Sequence, residues 1–102
     1  MIDLKELQKQ IYKNKVDKHF NLSDIPKEFC FAQAELSEAF TTYIRHEEGI
    51  GEELADVLIF LLGMAEMLDV DLEKELLSKI EKNKNRKYVT VNGALVKAEN
   101  QE

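Results

Sequence analysis

Four acidic residues in two matched pairs are the part of this sequence best suited to chemistry. Glu35 and Glu38 are three residues apart, and so are Glu53 and Asp56. On a helix, side chains three apart project from the same face. Each pair interrupts an apolar stretch: FCFAQAELSEAF surrounds the first, and LADVLIFLLGMA, from Leu54 to Ala65, contains Asp56 as its only charge. An ionised carboxylate in apolar surroundings costs several kcal/mol, on the order of an unpaired buried ion, unless a cation accompanies it or a proton neutralises it. If the two segments are antiparallel helices joined across Gly49, the four carboxylates converge. Such an oxygen-rich cluster favours hard divalent cations, Mg²⁺ or Mn²⁺. The competing reading, acidic pairs on solvated helix faces, does not explain why both pairs fall within apolar runs on consecutive helices. A di-iron carboxylate bundle is excluded, because it needs Glu-x-x-His motifs, and Val16 and Tyr43 stand three residues before His19 and His46.

A second group of polar residues lies downstream. Lys79, Lys82, Asn83 and Arg86 share one face of a helix at about 100° per residue. Such a face can hold a phosphate chain through a guanidinium fork, ammonium point charges and an amide donor. The simpler reading is a solvated last turn whose cations complement the helix dipole. Phe31 shares a face with Glu35 and Glu38, and Phe60 with Glu53 and Asp56, so these rings are the best placed to stack on a base. Cys30, between Phe29 and Phe31, reads as a small core hydrophobe, and His19 and His46 as surface residues.

The elements that position these residues follow from periodicity and punctuation. Leu4, Leu7 and Ile11 predict a first amphipathic helix to about Lys15. Ser23 or Asp24 can cap a second, with Pro26 in its first turn, running to about His46. Gly49-Ile50-Gly51 breaks the chain before a third helix from about Glu52 to Leu68. Asp71 caps a fourth to about Arg86, with Glu73 and Glu75 at its start and lysines toward its end. Short links make the later helices antiparallel neighbours, hence a four-helix, all-α bundle. Tyr88–Val91, Asn92-Gly93 and Ala94–Val96 have the pattern of a short hairpin. Residues 1–87 thus form a helical domain and 88–102 a tail. The third helix has more apolar circumference than three short neighbours can cover, which predicts self-association.

Composition sets the outer bounds. The 102 residues suit one domain, 44% of them hydrophobic and 33% charged, as in a globular protein. A net charge of −6 argues against binding a nucleic acid polymer. Residues 79–87 are the exception, with five cations against Glu81 alone. The single cysteine excludes an internal disulfide and a Cys-rich zinc site. No signal peptide is visible at the start, and the longest apolar run, Val57 to Ala65, is far below the roughly 20 residues a membrane span requires. A cytoplasmic location is the resulting expectation.

The two acidic motifs resemble those of the MazG-type, all-α nucleoside triphosphate pyrophosphohydrolases. That family carries Glu-x-x-Glu, a gap of a dozen or more residues, then Glu-x-x-Asp. Here these are Glu35-Leu36-Ser37-Glu38 and Glu53-Leu54-Ala55-Asp56, with fourteen residues between them. The string EELADVLIF is the more specific of the two, and Lys79, Asn83 and Arg86 fit a Lys, Asn, Arg series on the family's next helix. The likeness spans roughly Ser23 to Tyr88. It implies Mg²⁺-dependent hydrolysis of a nucleoside triphosphate to monophosphate and pyrophosphate, in a homodimer or homotetramer. Glu35, Glu38, Glu53 and Asp56 would be metal ligands, with Glu35 and Glu38 the catalytic pair and Lys79, Asn83 and Arg86 holding substrate. The chain departs from many relatives in having no tryptophan. Two alternatives remain at this level: a phosphoribosyl-ATP pyrophosphohydrolase, which resembles the same motif plan, and a non-catalytic helical dimer.

Overall fold

The computed structural model describes residues 1–98 and contains four helices followed by a hairpin. In order these are α1 (Leu4–Asp17), α2 (Ile25–Ile44), α3 (Ile50–Met67), α4 (Leu72–Lys84), β1 (Tyr88–Val91) and β2 (Ala94–Lys97). The chain divides into two compact units, one reaching from Met1 to Leu72 and the other beginning at Glu73.

In the first unit α3 packs against both α1 and α2. Its direction is opposite to each. Phe31 of α2 meets Phe60 while Glu38 meets Glu53, and Gln8 of α1 bonds Glu66 while Ile11 and Lys15 lie against Gly63. The inward side of α2 is a stripe of alternating four- and three-residue steps, Glu28, Ala32, Glu35, Ala39 and Thr42, the spacing that keeps one face on a neighbouring helix. Cys30 lies two residues off this stripe and is exposed, so it is not the core residue that its aromatic neighbours suggest.

The inward stripe of α1 also differs from the one predicted. It runs Leu4, Gln8, Ile11 and Lys15, with Leu7 turned outward. Gln8 is buried because all its polar atoms are used: its amide donates to Glu66 Oε1 at 2.9 Å and to the Val70 carbonyl at 2.6 Å, and its oxygen accepts from the Leu72 amide at 3.3 Å. This single side chain ties the start of α1 to the α3–α4 corner. Gly63 permits the close approach of α1 and α3, since a Cβ there would stand 3.3 Å from both Ile11 Cγ2 and Lys15 Cδ.

The first three helices end by the same device. His19, His46 and Asp69 adopt left-handed backbone conformations, with φ of 60°, 56° and 56°. In each case the next amide reaches back five residues: Phe20 to Lys15, Glu47 to Thr42 and Val70 to Ala65. That bond and left-handed residue define the Schellman ending, which satisfies otherwise orphaned carbonyls. Glycine is absent from all three positions, so glycine-based punctuation did not locate them. Gly49 (φ 98°) instead precedes α3, which begins at Ile50 and takes Gly51 into its first turn.

Within the first unit the apolar α3 is not fully enclosed. Leu62, Gly63, Met64 and Ala65 are buried, but Leu54 and Leu58 are 53% and 49% exposed, and Leu61 is also exposed. Two packed neighbours cover only two sides of an all-round apolar helix. In the second unit α4 stops at Lys84, short of the expected Arg86. Asn92 (φ 51°) and Gly93 (φ 79°) form the tight turn of the hairpin, both central residues having the positive φ that such turns need. Val91 pairs with Ala94 and Tyr88 with Lys97, and every residue of both strands is exposed.

Candidate metal centre and active site

The α2 scaffold of the site is fixed at its start. Asp24 caps the helix through a 3.2 Å bond from the Lys27 amide, and Asn21 Oδ1 accepts from the amides of Asp24 (3.0 Å) and Ser23 (3.4 Å). Pro26 stands in the first turn, where its missing N–H has no intrahelical role. From there, four-and-three stepping carries Glu35 to an inward position, while Glu38, off the stripe, remains exposed. On α3 the Gly49 carbonyl accepts the Glu53 amide at 3.0 Å, which sets the helical phase from its first turn. Glu53, Asp56 and Phe60 are then all half-buried.

Glu35, Glu38 and Glu53 come together, each offering a carboxylate oxygen within 4.8 Å of the others. Asp56 lies outside this close trio, yet its charge acts on Glu35. Burial holds the Glu35 carboxyl above the usual carboxylate range, aided by its hydrogen bond with Glu38 and by the negative charges of Glu38, Asp56 and Glu53. Glu53 Oε2 is buried with no hydrogen-bond partner. Among the described residues no lysine or arginine forms an ion pair with any of the four.

Another inward glutamate shows the contrast. Glu28, on the same stripe of α2, is 1% exposed and is met by Lys15 of α1, itself 7% exposed, at 2.5 Å. Its second oxygen accepts from Asn21 Nδ2 at 3.0 Å. A buried carboxylate on this scaffold is therefore neutralised from within where the fold requires it, and the Glu35 cluster is not. Three converging hard oxygen donors, one of them orphaned and with the charge of Asp56 acting on the group, fit a divalent cation. Sequence reading missed Lys15, Asn21 and Glu28; the signal for Lys15 and Glu28 lay in the stepping of the two inward stripes, where polar residues occupy positions expected to be apolar, whereas Asn21 lies in the link between α1 and α2.

Two concavities flank the cluster. On the side of the α2 N-terminus a cavity of about 350 Å³ is lined by Phe20, Lys27, Phe31 and Phe60 around Lys15, Asn21 and Glu28. On the other side a groove of about 400 Å³ is lined by Ser37, Glu38, Thr41, Thr42 and Glu53.

The remaining predicted residues belong to the second unit. Lys79 and Asn83 are exposed on α4. Arg86 lies beyond the helix, its amide bonded to the Asn83 carbonyl at 3.2 Å, so the helical face drawn through all three residues does not extend to it. Its side chain is half-buried, with Nε enclosed and without a partner.

A family model supplies the deciding comparison: that of the MazG-like family matches residues 26–98. The chain belongs to the MazG-like family. The matched region contains both acidic motifs, α4 and the hairpin, and the activity associated with MazG-like proteins is of the nucleotide pyrophosphohydrolase type. No curated protein and no solved structure matches the chain. No helix among the described residues is long and apolar enough to cross a membrane.

Proposed function

We propose that this MazG-like chain is a Mg²⁺-dependent pyrophosphohydrolase that converts a ribo- or deoxyribonucleoside triphosphate to the monophosphate and pyrophosphate, with Mn²⁺ able to substitute. The observation that carries this reading is the half-buried carboxylate cluster with no cation of its own, beside a buried Glu28 that has one. Glu38, Glu53 and Asp56 would hold the metal, with Glu35 at its edge. Bound there, a divalent cation would lower the pKa of a water and offset phosphate charge. Glu35, at the edge of the metal, would be the residue to take that water's proton. Its hydrogen bond with Glu38 keeps the carboxyl in place and gives the proton a second acceptor. With no glycine-rich phosphate loop in the sequence, direct attack by water on the innermost phosphorus is the economical route. Lys79, Asn83 and Arg86 would hold the departing pyrophosphate, and the active protein would be a homodimer or homotetramer, since exposed Leu54, Leu58 and Leu61 fall on one face of α3.

Incubation of the purified protein with Mg²⁺ and a panel of nucleoside triphosphates tests this directly. Pyrophosphate and monophosphate should appear in equal amounts, with loss of both in Asp56→Asn. Release of orthophosphate, or turnover unaffected by a chelator, overturns the proposal.

A further inference from the structure

The groove toward the C-terminal end of α2 joins two kinds of group that a single small ion would not use together. It is lined by Glu38 and Glu53 and by three hydroxyl residues, Ser37, Thr41 and Thr42. Ser37 and Thr41, like Glu38 and Thr42, are four residues apart on α2, about 6 Å along its axis. Thr42 is the informative member. It is 9% exposed and lines the groove, yet among the described residues its hydroxyl makes no hydrogen bond. Such a hydroxyl can bond the carbonyl four residues back. Here it is left for a partner entering the groove, since a buried polar group without one is costly. Glu53 Oε2, also buried and orphaned, belongs to a residue of the same lining.

The first turn of α3 adds a second feature. Asp3 and Asp24 cap α1 and α2 with their side chains, whereas α3 starts at Gly49 with no side-chain cap. Space is open where a Cβ would stand at Gly49 and Gly51, and Glu53 belongs to this turn. An uncapped helix start offers unpaired amides and the positive end of the helix dipole, which suits an anion.

The mixture of groups narrows the ligand. A bare anion is repelled by Glu38 and Glu53. A bare cation satisfies those carboxylates but leaves the hydroxyl and amide donors unused. An anion that arrives with its own divalent cation uses both: the metal bridges phosphate oxygens to the carboxylates, and other phosphate oxygens accept hydrogen bonds.

We propose that Ser37, Thr41 and Thr42, with the open start of α3, hold the two outer phosphates of the substrate as a metal chelate, and then the pyrophosphate they become. The inference rests on the pyrophosphohydrolase reading for its substrate class. It adds contacts within the first unit to those proposed for Lys79, Asn83 and Arg86.

Calorimetry of the full chain decides it, with pyrophosphate and Mg²⁺ as the probe and no turnover involved. Wild type should bind Mg²⁺-pyrophosphate, and Mg²⁺ with orthophosphate about tenfold more weakly for want of the second phosphate's contacts. Thr42→Val keeps the shape and removes the hydroxyl. It should weaken pyrophosphate binding by about tenfold, the order of one hydrogen bond to a charged group, and Thr42→Ser should restore it. A nucleoside triphosphate analogue with an uncleavable α,β-imido link should follow pyrophosphate across the three proteins, while Mg²⁺ alone should bind all three equally. Unchanged pyrophosphate binding in Thr42→Val, no recovery in Thr42→Ser, or equal affinity for orthophosphate overturns the inference. So does an analogue that ignores Thr42→Val, a matching loss of Mg²⁺ alone (the hydroxyl is then a metal ligand), or no binding of Mg²⁺-pyrophosphate to wild type. The expected binding pattern in a protein that turns over no triphosphate leaves the groove standing and removes the pyrophosphohydrolase reading. Turnover together with pyrophosphate binding that ignores Thr42→Val removes the inference alone.

Discussion

Glu35→Gln should make the metal-free protein more stable at pH 8, although it removes a residue assigned to the active site. The carboxylate oxygens of Glu35, Glu38 and Glu53 lie within 4.8 Å of one another. Two unit charges at that separation repel by about 1 kcal/mol under water-like screening and about 3.5 kcal/mol at an effective dielectric of 20. Exposure of Glu38 draws its term toward the lower figure while half-buried Glu53 lies between the two, giving on the order of 2–4 kcal/mol in total. For a domain of this size 1 kcal/mol corresponds to about 4–8 °C in Tm. The glutamine amide can still donate to Glu38, so the hydrogen bond survives.

The pH dependence gives the sign. Because the folded state raises the Glu35 pKa, it binds more protons at this position than the unfolded chain does. Stability from this group is therefore lost as pH climbs from the ordinary carboxylate range through the raised value. The advantage of Glu35→Gln should be largest above that range and shrink toward zero as pH falls to about 4.5. Thermal melts in EDTA across pH 4.5–8 measure it. Saturating Mg²⁺ should reverse the order, because a ligand at 100 times its Kd stabilises the native state by about 2.7 kcal/mol and the variant loses a ligand. A fall in metal-free Tm at pH 8 would refute the reasoning and make Glu35 a structural partner.

Further outcomes follow from the same structure. Light scattering at micromolar concentration should give a multiple of the 11.8 kDa chain mass, because the Leu54, Leu58 and Leu61 stripe resembles one half of an obligate interface; a monomeric mass contradicts this. Hydrolysis in ¹⁸O-water should label the monophosphate, and label in pyrophosphate would reassign the attacked phosphorus. Lys15→Met should cost about 3–5 kcal/mol by leaving Glu28 buried without its cation, with denaturant unfolding as the measure, whereas Lys15→Met combined with Glu28→Leu should recover most of the loss. Gly63→Leu should destabilise the fold by overpacking, by about 1–3 kcal/mol, read as a lower Tm, since even a Cβ there meets Ile11 and Lys15 at 3.3 Å.

The carboxylate pairs were legible in the sequence because a three-residue spacing within an apolar helix has one geometric meaning, and the EELADVLIF string carried the family with it. Helix number and the Asn92-Gly93 hairpin were legible for a similar reason: periodicity and turn residues are local properties. The ends of α1, α2 and α3 fall within two residues of where they were expected, but the left-handed conformation that closes each helix was not legible. Their left-handed residues are His19, His46 and Asp69, side chains that tolerate this backbone without announcing it. The inward placement of Gln8, Lys15 and Glu28 was hidden as well, because a polar residue joins a core only if a partner from elsewhere in the chain satisfies it. Those partners, Glu66 and Val70 for Gln8 and the Lys15–Glu28 pair across α1 and α2, are 13 to 62 residues apart. Spacing placed Glu35 and Glu53 on their helices, but only packing brought them within reach of each other. Packing also determined that Lys15 neutralises Glu28 and leaves the Glu35 cluster open to a cation from outside, since the nearest cation to a carboxylate is a property of three-dimensional distance.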